Sequence, residues 1–197
     1  MKSYITILLV AIFSINMVVA QNMEEEKLPY DKIPEYSETY TAGTVAARMV
    51  DGLGFRYYWA TEGLRDEDLA FRPNDDARTT EETIDHIYGL SKVIVNSTLN
   101  KTNDRVEEPE MTFAEKRRKT LENIKTAADI LRKSEDLSQF KIIFQRGDNT
   151  SEFPFWNQLN GPIEDAVWHC GQVVLLRRSS GNPFNSKVSV LRGIVRE

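Results

Sequence analysis

Apolar residues recur every three or four positions in four segments of the chain, which is the spacing of one face of an α-helix. The pattern predicts helices over about residues 41–64, 80–99, 113–134 and 155–179. Short or medium loops join these segments, and strands and helices do not alternate between them. We therefore predict an all-α, up-and-down four-helix bundle that occupies residues 40–184.

The first predicted helix combines an apolar face with two internal glycines. Its apolar residues at helical spacing are Val45, Met49, Leu53, Tyr57 and Ala60. Gly52 and Gly54 either weaken this helix locally or mark a close contact with a neighbouring element.

The second and third predicted helices carry start signals. Threonine at the helix boundary with glutamate at the third helical position is a capping box, in which the two residues cap the helix reciprocally. The pairs are Thr79 or Thr80 with Glu81 or Glu82, and Thr112 with Glu115.

The region before the last helix has β character. Residues 140–144 and 151–153 are rich in aromatic and β-branched residues and flank a turn, which predicts a short β-hairpin. Pro162 lies inside the fourth helical segment and predicts a kink or a break there. Residues 185–197 form a short tail that we expect to pack on the bundle as a half-helix or a strand.

The N-terminus has the features of a secretory signal peptide. Lys2 precedes an apolar run over residues 4–15, and small residues stand before Gln21. We expect export with cleavage after residue 20, no stable membrane anchor after cleavage, and an arm or linker over residues 21–39. The alternative, an uncleaved anchor, is disfavoured because the apolar run is short for a membrane span.

Charge and cysteine content narrow the class of protein. The chain has a formal net charge of −5, and loss of Lys2 with the signal peptide makes it one unit more negative. An acidic surface argues against nucleic acid as the main partner. Cys170 is the single cysteine, so no internal disulfide can form, and its place on an apolar helix face favours a buried hydrophobic role.

The last helix carries a polar stripe in addition to its apolar and solvent faces. Asp165, His169 and Gln172 share this stripe, and the first two are at the i, i+4 spacing that lets two side chains hold one ion. The only other histidine, His86, lies in the second helix, four residues after Glu82. If the two helices meet, His86, Asp165 and His169 form a 2-His-1-carboxylate set.

Such a set suits Zn, Ni, Fe(II) or Mn and leaves coordination positions open for water or substrate. Glu82 is a further candidate ligand or supporting group. The competing interpretation is structural, with Asp165 and His169 joined by an ordinary intrahelical hydrogen bond and His86 as an exposed or singly bonded residue.

Two local motifs carry a resemblance to a known family. Residues 79–87 and 169–172 are similar to the second-helix motif and to the start of the last-helix motif of the DinB-like four-helix bundles. The resemblance implies that His86 and His169 occupy two of that family's three metal-histidine positions. This sequence departs from the pattern at Asp165, where the family has a histidine, and at Cys170, where the family has an arginine.

The resemblance implies a metal site and, in some members, transferase or isomerase activity that uses low-molecular-weight thiols. Export counts against a cytosolic thiol cofactor here. Two hypotheses follow: a divalent-metal protein that is a hydrolase or transferase of a small-molecule substrate, or a non-catalytic structural or interaction domain with a lapsed site. In the second, Trp156, Trp168 and the aromatic first helix serve packing or a homodimer face.

Overall fold

The computed structural model describes residues 27–104 and 108–197. The predicted signal peptide and the first part of the predicted arm lie outside the described residues. Within these two ranges, no helix is both long and apolar enough to cross a membrane.

Four long helices dominate the fold, as the hydrophobic pattern predicted. The α-helices are α1 Ala42–Thr61, α2 Asp66–Leu69, α3 Thr80–Thr98, α4 Phe113–Arg132, α5 Phe155–Gln158 and α6 Glu164–Ser179. A 3₁₀ turn covers Leu137–Gln139. The capping boxes of Thr79 with Glu82 and of Thr112 with Glu115 are both present, which confirms the predicted helix starts.

The order of neighbours around the bundle differs from the predicted up-and-down arrangement. Helix α1 packs on α4 and α6, and α3 packs on the same two helices, so that α1 and α3 occupy opposite corners. In an up-and-down bundle, helices that are successive in the chain would be neighbours. The connection of residues 62–79, which includes α2, is long enough to cross one end of the bundle and permits this arrangement.

The core face of α1 is offset from the predicted one. Val45 and Met49 are exposed, whereas Ala46 and Val50 are buried beside Leu53. The helix continues through both internal glycines. Gly54 marks a close contact, as one of the two alternatives predicted: a Cβ there would lie 2.5 Å from the ring of Tyr30, which the arm inserts against the bundle.

Gly43 lets α1 approach the end of α4 closely. A Cβ at this position would lie 2.1 Å from the main-chain oxygen of Ser134 and 2.4 Å from that of Leu131. Backbone atoms cannot rotate away, so we expect Gly43→Ala to lower the free energy of unfolding by about 2 to 4 kcal/mol. Urea denaturation monitored by circular dichroism measures this change.

The matched control for this prediction is Gly89→Ala in α3, where the new Cβ meets nothing within 4 Å. Alanine is the better helix former, so this variant should be as stable as the wild type or more stable by about 0.5 to 1 kcal/mol. Equal stability of the two variants would contradict the close approach at Gly43.

A small sheet closes one side of the bundle. Its strands are β1 Thr102–Asn103, β2 Lys141–Arg146 and β3 Asn149–Pro154, in the order β1-β2-β3. Strands β2 and β3 pair antiparallel, with Ile142 opposite Phe153, which confirms the predicted hairpin. The parallel strand β1 was not predicted, because two residues in a charged loop carry no alternation of apolar and polar positions.

The C-terminal tail forms the strands β4 Val188–Ser189 and β5 Ile194–Val195, in line with one predicted alternative. The main-chain nitrogen of Ile33 in the arm donates to the oxygen of Gly193 at 2.8 Å. Trp156 and Trp168 are both exposed, so of the two alternatives for them, packing or a homodimer face, internal packing does not apply. A homodimer stays a prediction.

The predicted break in the last helical segment is present. A π-helix over Leu159–Ile163 joins α5 to α6, and Gly161 inside it has non-helical torsions of φ −95° and ψ −105°. Pro162 lacks a main-chain N–H and cannot continue a regular helix ladder. This irregular turn ends immediately before α6 and so sets the direction from which Asp165 enters the bundle.

Candidate metal centre

His86, Asp165 and His169 meet where α3 packs on α6. One donor atom from each residue lies within 4.8 Å of the donors of the other two. The polar stripe of α6 therefore faces His86, the other histidine of the chain, which is the condition on which the 2-His-1-carboxylate hypothesis depended. No other group of three such side chains within metal-binding reach is found among the described residues.

Asp165 bridges the two histidines. Its Oδ2 lies 3.1 Å from Nε2 of His86, and its Oδ1 lies 3.1 Å from Nδ1 of His169. The two imidazole rings are 4.5 Å apart between centroids and inclined at 62°. The carboxylate thus touches one ring across the helix interface and the other ring along its own helix.

The main chain of α6 fixes the orientation of His169. Its Nδ1 lies 2.8 Å from the main-chain oxygen of Asp165. A carbonyl oxygen only accepts hydrogen bonds, so Nδ1 carries the proton and donates, and the lone pair of the neutral ring lies on Nε2. Metal-binding histidines in proteins use this arrangement, with one ring nitrogen donating to an oxygen and the other free to bind the ion.

The geometry fits a small divalent ion. Bonds of about 2.1 Å to one ion place adjacent donors about 3 to 4 Å apart, and the 3.1 Å separation of His86 and Asp165 is of this size. Two imidazoles and one carboxylate are competent ligands for Zn, Ni, Fe(II) and Mn. Three protein ligands leave at least one coordination position open.

Solvent reaches the site from one side. The side chain of His169 is 13% exposed, whereas those of His86 and Asp165 are 34% and 36% exposed. A partly open site of this kind admits water or a small molecule, and His169 is the least exposed of the three side chains.

Glu82, the further candidate ligand, does not join the site. Its Oε2 accepts a hydrogen bond from the main-chain nitrogen of Thr79 at 2.7 Å, and its side chain is exposed at the start of α3. The capping interaction therefore occupies the carboxylate. The sequence offered both interpretations of Glu82, and the structure supports the cap.

A cleft of about 460 Å³ adjoins the site, with His169 as part of its wall. Gln172 lies in the same cleft, one turn further along α6, and Arg78 and Ala77 come from the loop before α3. The contribution of the loop was missed by sequence reasoning, because residues 73–78 have no periodicity that shows which way they face.

Cys170 takes no part in the centre. It is buried on the opposite side of its helix turn, and burial raises the pKa of its thiol to about 12. A thiol in this state is neither a ready ligand nor a nucleophile. The predicted role as a small buried hydrophobic residue agrees with this position.

A scan against protein-family models found no match, and neither did searches of curated proteins and of solved structures. The resemblance to the DinB-like bundles therefore stays a prediction.

Proposed function

We propose that this chain is an exported, DinB-like protein that binds one divalent metal ion through His86, Asp165 and His169. The observation that carries the proposal is the convergence of their donor atoms within 4.8 Å from two different helices. The main-chain hydrogen bond to Nδ1 of His169 supports it, because this bond leaves Nε2 available for an ion.

The chemistry of such a centre is hydrolysis or group transfer on a small molecule. A metal ion held there would polarise a carbonyl or phosphoryl oxygen, or lower the pKa of bound water. The side chains of the chain would hold the ion and orient the substrate. His86 and Asp165 would bind the ion from the two sides of the interface between α3 and α6. The amide of Gln172 offers a hydrogen-bonding group to a molecule in the cleft.

The competing function is a structural or interaction domain with a lapsed site. Its supporting observation is that the groups have partners without an ion: Asp165 is hydrogen-bonded to His86, and Nδ1 of His169 lies beside both the carboxylate and the main-chain oxygen of Asp165. The two proposals differ in whether metal displaces these hydrogen bonds, and a binding measurement separates them.

The test is calorimetric titration of residues 21–197 after chelator treatment, with Zn, Ni, Fe(II) and Mn salts in turn. We expect one ion bound per chain for at least one metal. Metal at about 100 times its dissociation constant should also stabilise the fold by about 2.7 kcal/mol, visible as a rise in the melting temperature.

Two variants control this titration. The double variant His86→Gln, His169→Gln should lose binding, while Glu82→Gln should bind as the wild type does, because glutamine preserves the cap and Glu82 lies outside the site. Absence of binding for all four metals, or unchanged binding by the double variant, would overturn the metal proposal in favour of the structural domain.

A further inference from the structure

We infer that the cleft beside His169 binds a small molecule with one carboxylate and an adjoining apolar portion, and that Arg78 is the residue that binds the carboxylate. This inference names the substrate class of the proposed metal centre and rests on that proposal for the reaction, though not for the binding step. Its basis is the composition of the cleft wall.

Arg78 is a cation without an internal partner. It is exposed in the cleft, and no carboxylate in the described residues lies within ion-pair distance of it. The nearby loop acid Asp75 instead lies 3.6 Å from Arg72. A guanidinium presents a planar fork of donors that matches the two oxygens of a carboxylate.

The residue that follows Arg78 in the chain is held in place by the capping box of α3, although the side chain of Arg78 is exposed. Arg78 directly precedes Thr79, whose hydroxyl accepts from the main-chain nitrogen of Glu82 at 3.1 Å in the capping box of α3. The guanidinium therefore starts from a fixed point at the rim of the cleft. A carboxylate bound there would lie in the same cleft as His169.

Apart from Arg78, the wall of the cleft combines apolar side chains with Thr83, His169 and Gln172. Leu175 is 62% exposed, and Leu176, Pro73 and Ala77 line the same cleft. Hydrocarbon in the cleft would cover this surface. The volume of about 460 Å³ lies in the range of small-molecule sites.

The charge that the side chains of the cleft supply, without the proposed ion, favours a monocarboxylate over a phosphate. Arg78 is the one cationic side chain among the residues that line this part of the described structure. A phosphate dianion is usually held by several cations or by a group of main-chain N–H donors. At the start of α3, the N–H groups of Thr79 and Glu82 are engaged in the capping box, and that of Thr80 donates to the main-chain oxygen of Phe71.

Octanoate is the probe that tests this inference, and octanamide is its uncharged counterpart. Binding to residues 21–197 is measured by NMR titration on both zinc-loaded and chelator-treated protein. We expect octanoate to bind at least about tenfold more tightly than octanamide, and Arg78→Ala to remove that preference with a loss of about tenfold or more. Arg72→Ala, in the same loop but outside the cleft, should bind octanoate as the wild type does.

The outcomes separate this inference from the proposed function. Equal octanoate affinity of the wild type and Arg78→Ala, equal affinity for octanoate and octanamide, tighter binding of inorganic phosphate, or absence of octanoate binding would each overturn the carboxylate site. Arg78-dependent octanoate binding by a protein that takes up no metal would support the carboxylate site and overturn the metal proposal alone. Zinc binding without octanoate binding would support the metal proposal and overturn the carboxylate site.

Discussion

Replacing Asp165 with alanine will weaken zinc binding by about 100-fold or more. Zinc bound by four protein ligands contributes about 10 to 16 kcal/mol, so one ligand accounts for roughly 3 kcal/mol, which is more than 100-fold in affinity. The carboxylate lies 3.1 Å from Nε2 of His86, and an ion bound to both atoms would replace the hydrogen bond between them. Competition titration against a coloured chelator measures the change.

The expected loss has a second possible origin, which a double-mutant cycle separates. Asp165 also lies beside Nδ1 of His169, and loss of a group that only orients a ligand costs about 10- to 100-fold. If Asp165 acts only through His169, then Asp165→Ala will cause no further loss in a His169→Ala background. If Asp165 binds the ion itself, the double variant will bind more weakly than either single variant.

The backbone favours the direct role. The main-chain oxygen of Asp165 remains in the alanine variant and continues to hold Nδ1 of His169 at 2.8 Å. The orientation of the ring therefore does not depend on the carboxylate alone. Glu164→Ala, which removes the neighbouring exposed carboxylate, is the matched control and should leave zinc affinity unchanged. An Asp165→Ala loss of less than about threefold would contradict a ligand role for Asp165.

The centre itself could be predicted from the sequence because helix geometry is local. The i, i+4 spacing of Asp165 and His169 fixes their relative position once α6 forms, and the apolar face of α6 dictates the side on which they lie. His86 could be joined to them only through the assumption that α3 and α6 are neighbours. The structure supports that assumption.

Features that depend on the packing of distant segments could not be predicted in the same way. Spacing alone does not tell which of two adjacent apolar stripes faces inward, so Val45 and Met49 were assigned to the core although they are exposed. Glu82 could equally cap a helix or bind an ion, and only its 2.7 Å contact with Thr79 decides between them. The diagonal placement of α1 and α3 depends on loop paths that have no hydrophobic pattern.

The role of Arg177 also depends on the packing of distant segments and could not be predicted from the sequence. Its replacement has the largest effect on stability that we expect. Replacing it with methionine will lower the free energy of unfolding by about 3 kcal/mol or more, measured by urea denaturation. The side chain is 4% exposed and donates to the main-chain oxygens of Trp59 and Ala60 at 3.1 and 3.0 Å. It also donates to two oxygens of Asn182, at 2.9 and 3.0 Å.

Arg177→Met is destabilising because methionine leaves buried main-chain oxygens without a hydrogen-bond donor. Burial disfavours the charge and lowers the pKa of Arg177, so removing the guanidinium recovers some desolvation energy. The oxygens of Trp59 and Ala60, however, belong to the last turn of α1 and have no helical N–H to accept from. Each buried oxygen left without a donor costs about 1 to 3 kcal/mol, and together they exceed the recovery.

The matched control is Arg178→Met, one residue further along α6 and exposed, which should change stability by no more than about 0.5 kcal/mol. The stability of Arg177→Lys should lie between those of the wild type and Arg177→Met. Lysine keeps the charge but loses the planar fork of donors that reaches both the end of α1 and Asn182, just after α6. Arg177 ties α6 to the end of α1, far along the helix from Asp165, so zinc affinity of the folded Arg177→Met protein should stay within about threefold of the wild type. If Arg177→Met is as stable as Arg178→Met, then the carbonyl oxygens of α1 find other donors and apolar contacts alone position α6.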